Sequence, residues 1–300
     1  MDIWVNIALV GFGNFGKKYF ITLQRLNLFK KIFIFKKNKK KGFKILSKYN
    51  LKKLKINLAI IATPPNTHFK IASLFLREKI PFILEKPVSN KLSDIKKLIA
   101  LSQKNNINFL INYSDLYNQN FIQIKNIINL YGGIEFINIK FEKYNDNYKN
   151  KNFLPCFDWF PHFFAIFFCF FQKYDEIIIE EYKTYKVNQS YFQSLKIKIL
   201  LKKKVISKLS FNNFSKKPIR QAKFKSSRLL GVYDGYSNFN NYIRLDKNKL
   251  KLQKASYKPM DKIIFDLSKL YNNKEYITDL SSSIKIHKAI NSIKLSMRLF

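Results

Sequence analysis

The chain has 300 residues, enough to bury two cores of ordinary size, and a formal net charge of +37. Only six of its 56 basic residues are arginine, and lysine is spread from end to end beside abundant Asn, Ile, Phe and Tyr. That slant is one of AT-rich coding, whereas nucleic-acid interfaces favour the bidentate fork of arginine, so no specific nucleic-acid partner is expected.

Met1–Trp4 carries no charged region followed by an apolar stretch and a cleavage site, so a cytoplasmic location is expected. Residues 5–10 (VNIALV) predict a strand that runs into Gly11-Phe12-Gly13-Asn14-Phe15-Gly16, and residues up to about Leu26 predict a helix. Further apolar runs at 32–35, 58–62, 82–84 and 107–111 alternate with helical patterns at about 43–49, 67–79 and 93–104. Short continuous apolar strands separated by helices are what a parallel sheet covered on both faces requires. The first 115 residues therefore read as a doubly wound α/β Rossmann domain.

After Tyr113 the rhythm changes. A helix near 119–130 ends at Gly132-Gly133, and strands at 134–142, 176–186, 192–201 and 204–211 predict an α+β domain with a mostly antiparallel open sheet over residues 116–300. A last helix, about 281–297, is expected to pack back on a domain surface, that of the first domain included. The apolar stretch from Phe153 to Phe171 is broken by Pro155, Asp158, Pro161 and His162, which argues for a buried helix and against a membrane span. Two cysteines, Cys156 and Cys169, have neither the number nor the spacing of a disulfide framework or a zinc site, so no metal is expected.

Three constellations carry chemistry. The first is the glycine turn: three of only eight glycines fall within six residues, in GxGxxG register, between a strand and a helix. The first glycine permits the tight turn, the second admits a pyrophosphate and the third lets helix and strand pack closely. Gly11, Phe12, Gly13, Asn14, Phe15 and Gly16 are therefore the expected dinucleotide site. About 20 positions on, where an acidic residue would bind the ribose of NAD, the chain offers Lys36 and Lys37, which suits the 2′-phosphate of NADP, although a general lysine excess leaves NAD open.

The second is Thr63-Pro64-Pro65-Asn66-Thr67-His68 with Glu85-Lys86-Pro87, each following a strand at the sheet edge where ligands bind in such folds. Thr63, Pro64, Pro65, Asn66, His68, Glu85 and Lys86 are accordingly expected beside the cofactor, Lys86 as a cation or proton donor. The third is Asp158-Trp159-Phe160-Pro161-His162, whose spacing of four puts two polar side chains on one helical face. His162 is a candidate acid–base group, against the alternative of a buried structural pair.

With these residues the sequence resembles the glucose–fructose oxidoreductase, inositol dehydrogenase and rhizopine-catabolism (Gfo/Idh/MocA) family. VGFGNFG, AIIATPPNTH, ILEKPVS, the Gly-Gly-Ile step at 132–134 and the Asp-x-x-x-His helix occur in the family's order over nearly the whole chain. The resemblance implies hydride transfer between a nicotinamide and a hydroxyl-bearing carbon of a sugar, polyol or nucleotide-sugar, with Lys86 and His162 near the reacting oxygen in exchangeable roles. Asp158 would bind substrate or orient His162. The resemblance also implies a homo-oligomer, dimer or tetramer. Asp-Trp-Phe-Pro-His is similar to a subset tied to nucleotide-sugar and surface-polysaccharide pathways. Ala165 stands where many relatives carry an acid, which leaves a non-catalytic dinucleotide-binding regulator or sensor as the alternative.

Overall fold

The computed structural model describes residues 4–36, 46–145, 155–237, 239–272 and 280–297. They divide into two compact units: Met1–Tyr113 with Pro259–Ile284, and Ser114–Lys258 with Lys285–Phe300.

The first unit is a five-stranded sheet, β1 (Asn6–Val10), β2 (Lys31–Phe35), β3 (Ile56–Ile61), β4 (Phe82–Glu85) and β5 (Phe109–Asn112), in the order β2-β1-β3-β4-β5. Every pairing is parallel. The crossovers are α1 (Asn14–Leu26), α2 (Lys48–Lys53), α3 (Pro65–Arg77) and α4 (Leu92–Asn105). Ile7 to Val10, Leu58 to Ile61 and Phe82 to Leu84 are fully buried without alternation, because helices cover both faces of the sheet. β1 is flanked by β2 and β3, so the chain leaves it in one direction and returns on the other side; its carboxyl end is the switch point at which open α/β sheets bind ligands.

The helix expected at about 43–49 begins later, at Lys48, where the Ser47 hydroxyl accepts from Asn50 N at 3.3 Å; residues 43–45 lie outside the described ones. The segment Pro259–Ile284, which the sequence reading placed with the second domain, belongs to the first unit. It contains α7 (Pro259–Asn272), a helix the sequence reading did not foresee. Ile263, Ile264, Leu267 and Leu270 bury its apolar face, and Arg25 of α1 pairs with Asp261 at its start.

The second unit is an eight-stranded sheet: β6 (Phe136–Glu142), β7 (Glu176–Val187), β8 (Ser190–Leu201), β9 (Lys204–Asn212), β10 (Ile219–Lys225), β11 (Leu229–Asp234), β12 (Tyr242–Leu245) and β13 (Asn248–Leu250). The order is β13-β12-β11-β10-β6-β9-β8-β7, with only β6–β9 parallel. Along β6, Ile137, Ile139 and Phe141 are buried while the residues between them are not, the period-two pattern of a sheet with one covered face.

Among the described residues, α5 (Gln119–Leu130), α6 (Pro155–Phe168) and α8 (Ser281–Ser296) complete the set, with a single 3-10 turn at Ser114–Tyr117. α6 is the aromatic stretch of the sequence; Phe160, Phe163, Phe164 and Phe167 are fully buried, and Phe163 stacks on Phe141 with ring centroids 4.3 Å apart. No helix among the described residues is long and apolar enough to cross a membrane. From Lys285 onward α8 belongs to the second unit, where Lys285 bonds to Gln172 at 2.7 Å and Lys294 lies over the Phe157 ring.

Candidate active site

Gly11 closes β1 with φ of +95°, and a Cβ built there would stand 2.4 Å from the Ala62 carbonyl oxygen, so both conformation and space demand glycine. At Gly16 a Cβ would meet the Gly11 oxygen at 2.2 Å, which is the close approach of helix to turn. Gly13 differs: its φ is −78°, open to any residue, and nothing lies within 4 Å of where a Cβ would be. Gly13 is also the N-cap of α1, which has no side-chain cap and no acidic residue in its first turn. The helix thus begins with N–H groups unmet by a side chain, ready for a pyrophosphate. Lys36 Nζ sits 4.4 Å above the Phe12 ring, bringing the basic residue after β2 to the glycine turn; Lys37 lies outside the described residues.

The loops after β3 and β4 are braced against one another. His68 is fully buried, with Nε2 2.8 Å from the Thr63 carbonyl and Nδ1 2.9 Å from that of Pro87. It ties the two loops together and does not itself face outward. Burial lowers its proton affinity, against the pull of those carbonyls. Pro64 caps α3 and Pro65 opens it, the position where a missing N–H costs nothing. Thr67 Oγ1 bonds Thr63 Oγ1 at 2.8 Å.

Glu85 is likewise internal. Tyr19 OH donates to it at 2.9 Å and Asn112 Nδ2 at 2.6 Å. Burial pushes its carboxyl above the usual carboxylate range, and those two donors and Lys86 only partly counter this. Its part is to fix the end of β4, so that Lys86, half-exposed at the next position, is presented from a rigid support. Tyr19 and Asn112 were not singled out in the sequence; a tyrosine in a helix and an asparagine ending a strand carry no pattern of their own.

His162 and Asp158 lie on α6, in the second unit, one turn apart. His162 is buried and Asp158 half-buried. His162 Nδ1 is 3.2 Å from Arg220 Nη2 and 3.4 Å from Asp115 Oδ2. Arg220 grips Asp115 with both prongs, Nε at 2.7 Å and Nη2 at 2.5 Å, and Tyr233 OH adds a bond to Asp115 Oδ1 at 3.0 Å. Burial alone would raise Asp115, but the Arg220 cation and bonds from His162 and Arg220 hold its carboxyl well below the usual range. Sequence reasoning missed Asp115, Arg220 and Tyr233; the one available signal was the scarcity of arginine, which makes each of the six conspicuous. Ala165, one turn beyond His162, is buried and contributes no polar group.

Residues 5–113 match the model of the Gfo/Idh/MocA family, described as an oxidoreductase family with an NAD-binding Rossmann fold. No curated protein matches the sequence. Among solved structures, UDP-N-acetylglucosamine 3-dehydrogenase from Acidithiobacillus ferrooxidans superposes with a TM-score of 0.79 at 11% identity, covering 98% of this chain and 97% of its own. A Gfo/Idh/MocA family oxidoreductase from Vibrio cholerae gives 0.74 at 14% identity, over 98% and 99% of the two chains. Biliverdin reductase from Synechocystis sp. PCC 6803, in complex with biliverdin and NADP+, gives 0.71 at 13%, over 96% and 97%. At these identities the likeness shows a shared fold across both units. Residues 5–113 are thus an NAD-binding Rossmann domain of the Gfo/Idh/MocA type.

Proposed function

We propose that this chain, with its NAD-binding domain of the Gfo/Idh/MocA type, moves a hydride between a nicotinamide and a hydroxyl-bearing carbon of a sugar, polyol or nucleotide-sugar. The observation that carries the reading is the glycine turn: Gly11 and Gly16 are forced by close contacts, while Gly13 leaves open space over an uncapped helix terminus. The first two explain a fold; the third is explained by a ligand. Lys36 beside Phe12 supports NADP over NAD, since a cation there can meet a 2′-phosphate.

When bound, the nicotinamide accepts or returns the hydride. His162 takes the proton of the substrate hydroxyl in oxidation and gives it back in reduction. Lys86 offsets the negative charge that develops on that oxygen. Asp158, on the same helix as His162, takes a substrate hydroxyl. The nucleotide-sugar preference draws on the structural likeness to UDP-N-acetylglucosamine 3-dehydrogenase, and the likeness to biliverdin reductase shows that the fold alone does not choose the substrate.

The test is turnover of a nucleotide-sugar panel with NADP+ and NAD+ by wild type, Lys86→Ala and His162→Ala, with cofactor binding followed by nicotinamide fluorescence. Each substitution is expected to lower kcat at least about 100-fold while the cofactor Kd changes less than about threefold. Loss of cofactor binding in the variants would overturn the assigned roles. Tight cofactor binding with no turnover on any sugar would favour the non-catalytic regulator.

A further inference from the structure

The second unit contains a charged cluster that hydride transfer does not by itself require. Four elements contribute: Asp115 from the 3-10 turn, His162 from α6, Arg220 from β10 and Tyr233 from β11. Arg220 lies over the rings of Phe141 and Trp159, at 5.3 and 5.7 Å, and also bonds Ser114 Oγ at 3.0 Å. Burial would lower the proton affinity of Arg220, but the Asp115 carboxylate beside it more than compensates, so the pair stays ionised. Tyr233 and Tyr236, the other titratable groups coupled to the pair, have hydroxyls pushed up by burial and stay neutral. Asp158 is the remaining acid on the helix of His162.

Nδ1 of His162 therefore faces an anion and a cation at nearly equal distances, 3.4 and 3.2 Å. A proton on Nδ1 is donated to Asp115; a bare Nδ1 accepts from Arg220. Those two arrangements leave Nε2 as acceptor and as donor respectively.

We propose that Asp115 and Arg220 are positioning residues that hold His162 through Nδ1 and set its proton affinity by opposition, Asp115 favouring the imidazolium and Arg220 the neutral ring. The proton exchanged with substrate is then carried on Nε2, and the ring returns to either state without turning. This rests on the reading of His162 as the proton-transfer group.

The experiment follows the ring nitrogens of His162 by NMR as pH is varied, in protein labelled with 15N-histidine; with only three histidines, His162 is assigned by its loss in His162→Gln. Wild type, Asp115→Asn, Arg220→Gln and the double variant are compared. Removing the carboxylate is expected to move the His162 midpoint down, and removing the guanidinium to move it up, each by about one pH unit or more. The double variant is expected near wild type. If one single variant does not fold, the double variant with the other single and wild type still measures both shifts. Midpoints that coincide, or that move in the same direction, overturn the proposal. Opposite shifts in a protein whose His162→Ala form turns over normally would instead refute the proton-transfer role and leave the control of His162 standing.

Discussion

Asp115 shows how a single side chain ties chemistry to stability. Its carboxyl is held below the usual range by Arg220 and His162, so its contribution to folding is full above the unfolded pKa of about 4 and fades as pH falls through the lower folded value. Replacing it with asparagine leaves the Arg220 guanidinium, whose side chain is only 16% exposed, without its carboxylate, at a cost of about 3 kcal/mol. Urea midpoints at pH 7 and pH 3 check this: the wild type is expected to exceed Asp115→Asn clearly at pH 7, with the gap narrowing at pH 3. An equal gap at both values would mean that the ion pair is not its source. At this scale the sequence was legible only where residue type and spacing form a pattern. Gly11, Gly13, Gly16, Lys86 and His162 stood out, whereas Asp115, Arg220 and Tyr233 lie far apart in the chain and meet only after β10 and β11 are laid down. His68 and Glu85 were visible as motif members, but burial decides that they brace the loops from inside.

Among the elements, those of the first sheet could be read from the sequence because a strand buried on both faces is a continuous apolar run. α7 could not, since Asp261, Lys262, Asp266 and Lys269 interrupt its apolar positions and its partners lie more than 140 residues earlier in the chain. β12 and β13, of four and three residues, offer too few positions for a period-two alternation to stand out. The β8–β9 hairpin exposes a cost of the scarcity of glycine. Its turn residues, Lys202 and Lys203, have φ of 52° and 62°, a region that lysine enters at about 1 kcal/mol or more per residue. Asn-Gly suits such a turn. Lys202→Asn with Lys203→Gly is therefore expected to stabilise the protein by about 1 kcal/mol, seen as a rise of about 2–4 °C in Tm. A lower Tm would show that the lysine side chains hold the turn by contacts that outweigh its backbone strain.

For the whole molecule the dominant fact is the charge of +37, carried by a chain with 19 acidic residues. Like charges at that density repel in the folded state, and salt screens them over a length of about 10 Å at 0.1 M. Tm is expected to rise when NaCl is increased from about 0.02 to 0.3 M, and a fall would mean that attractive pairs such as Lys196–Glu181 and Arg228–Asp246 dominate instead. The charge does not make the protein a nucleic-acid binder by itself, because the lysines are distributed along both units and arginine is rare. The division into two units was legible as the change of rhythm near Tyr113, but the return of Pro259–Ile284 to the first unit was not, because nothing local in a sequence records which sheet a late helix covers.

Gly13, kept open at the end of β1, is the position on which dinucleotide binding turns. Fluorescence titration with NADPH and NADH, on wild type and on Gly13→Val, tests that claim together with a Tm for each protein. Wild type is expected to bind, NADPH more tightly than NADH. Gly13→Val, whose side chain enters space that the fold leaves open, is expected to keep its Tm within about 2 °C and to lose affinity at least 100-fold. Binding of equal strength by the two proteins, or none by either, would contradict it.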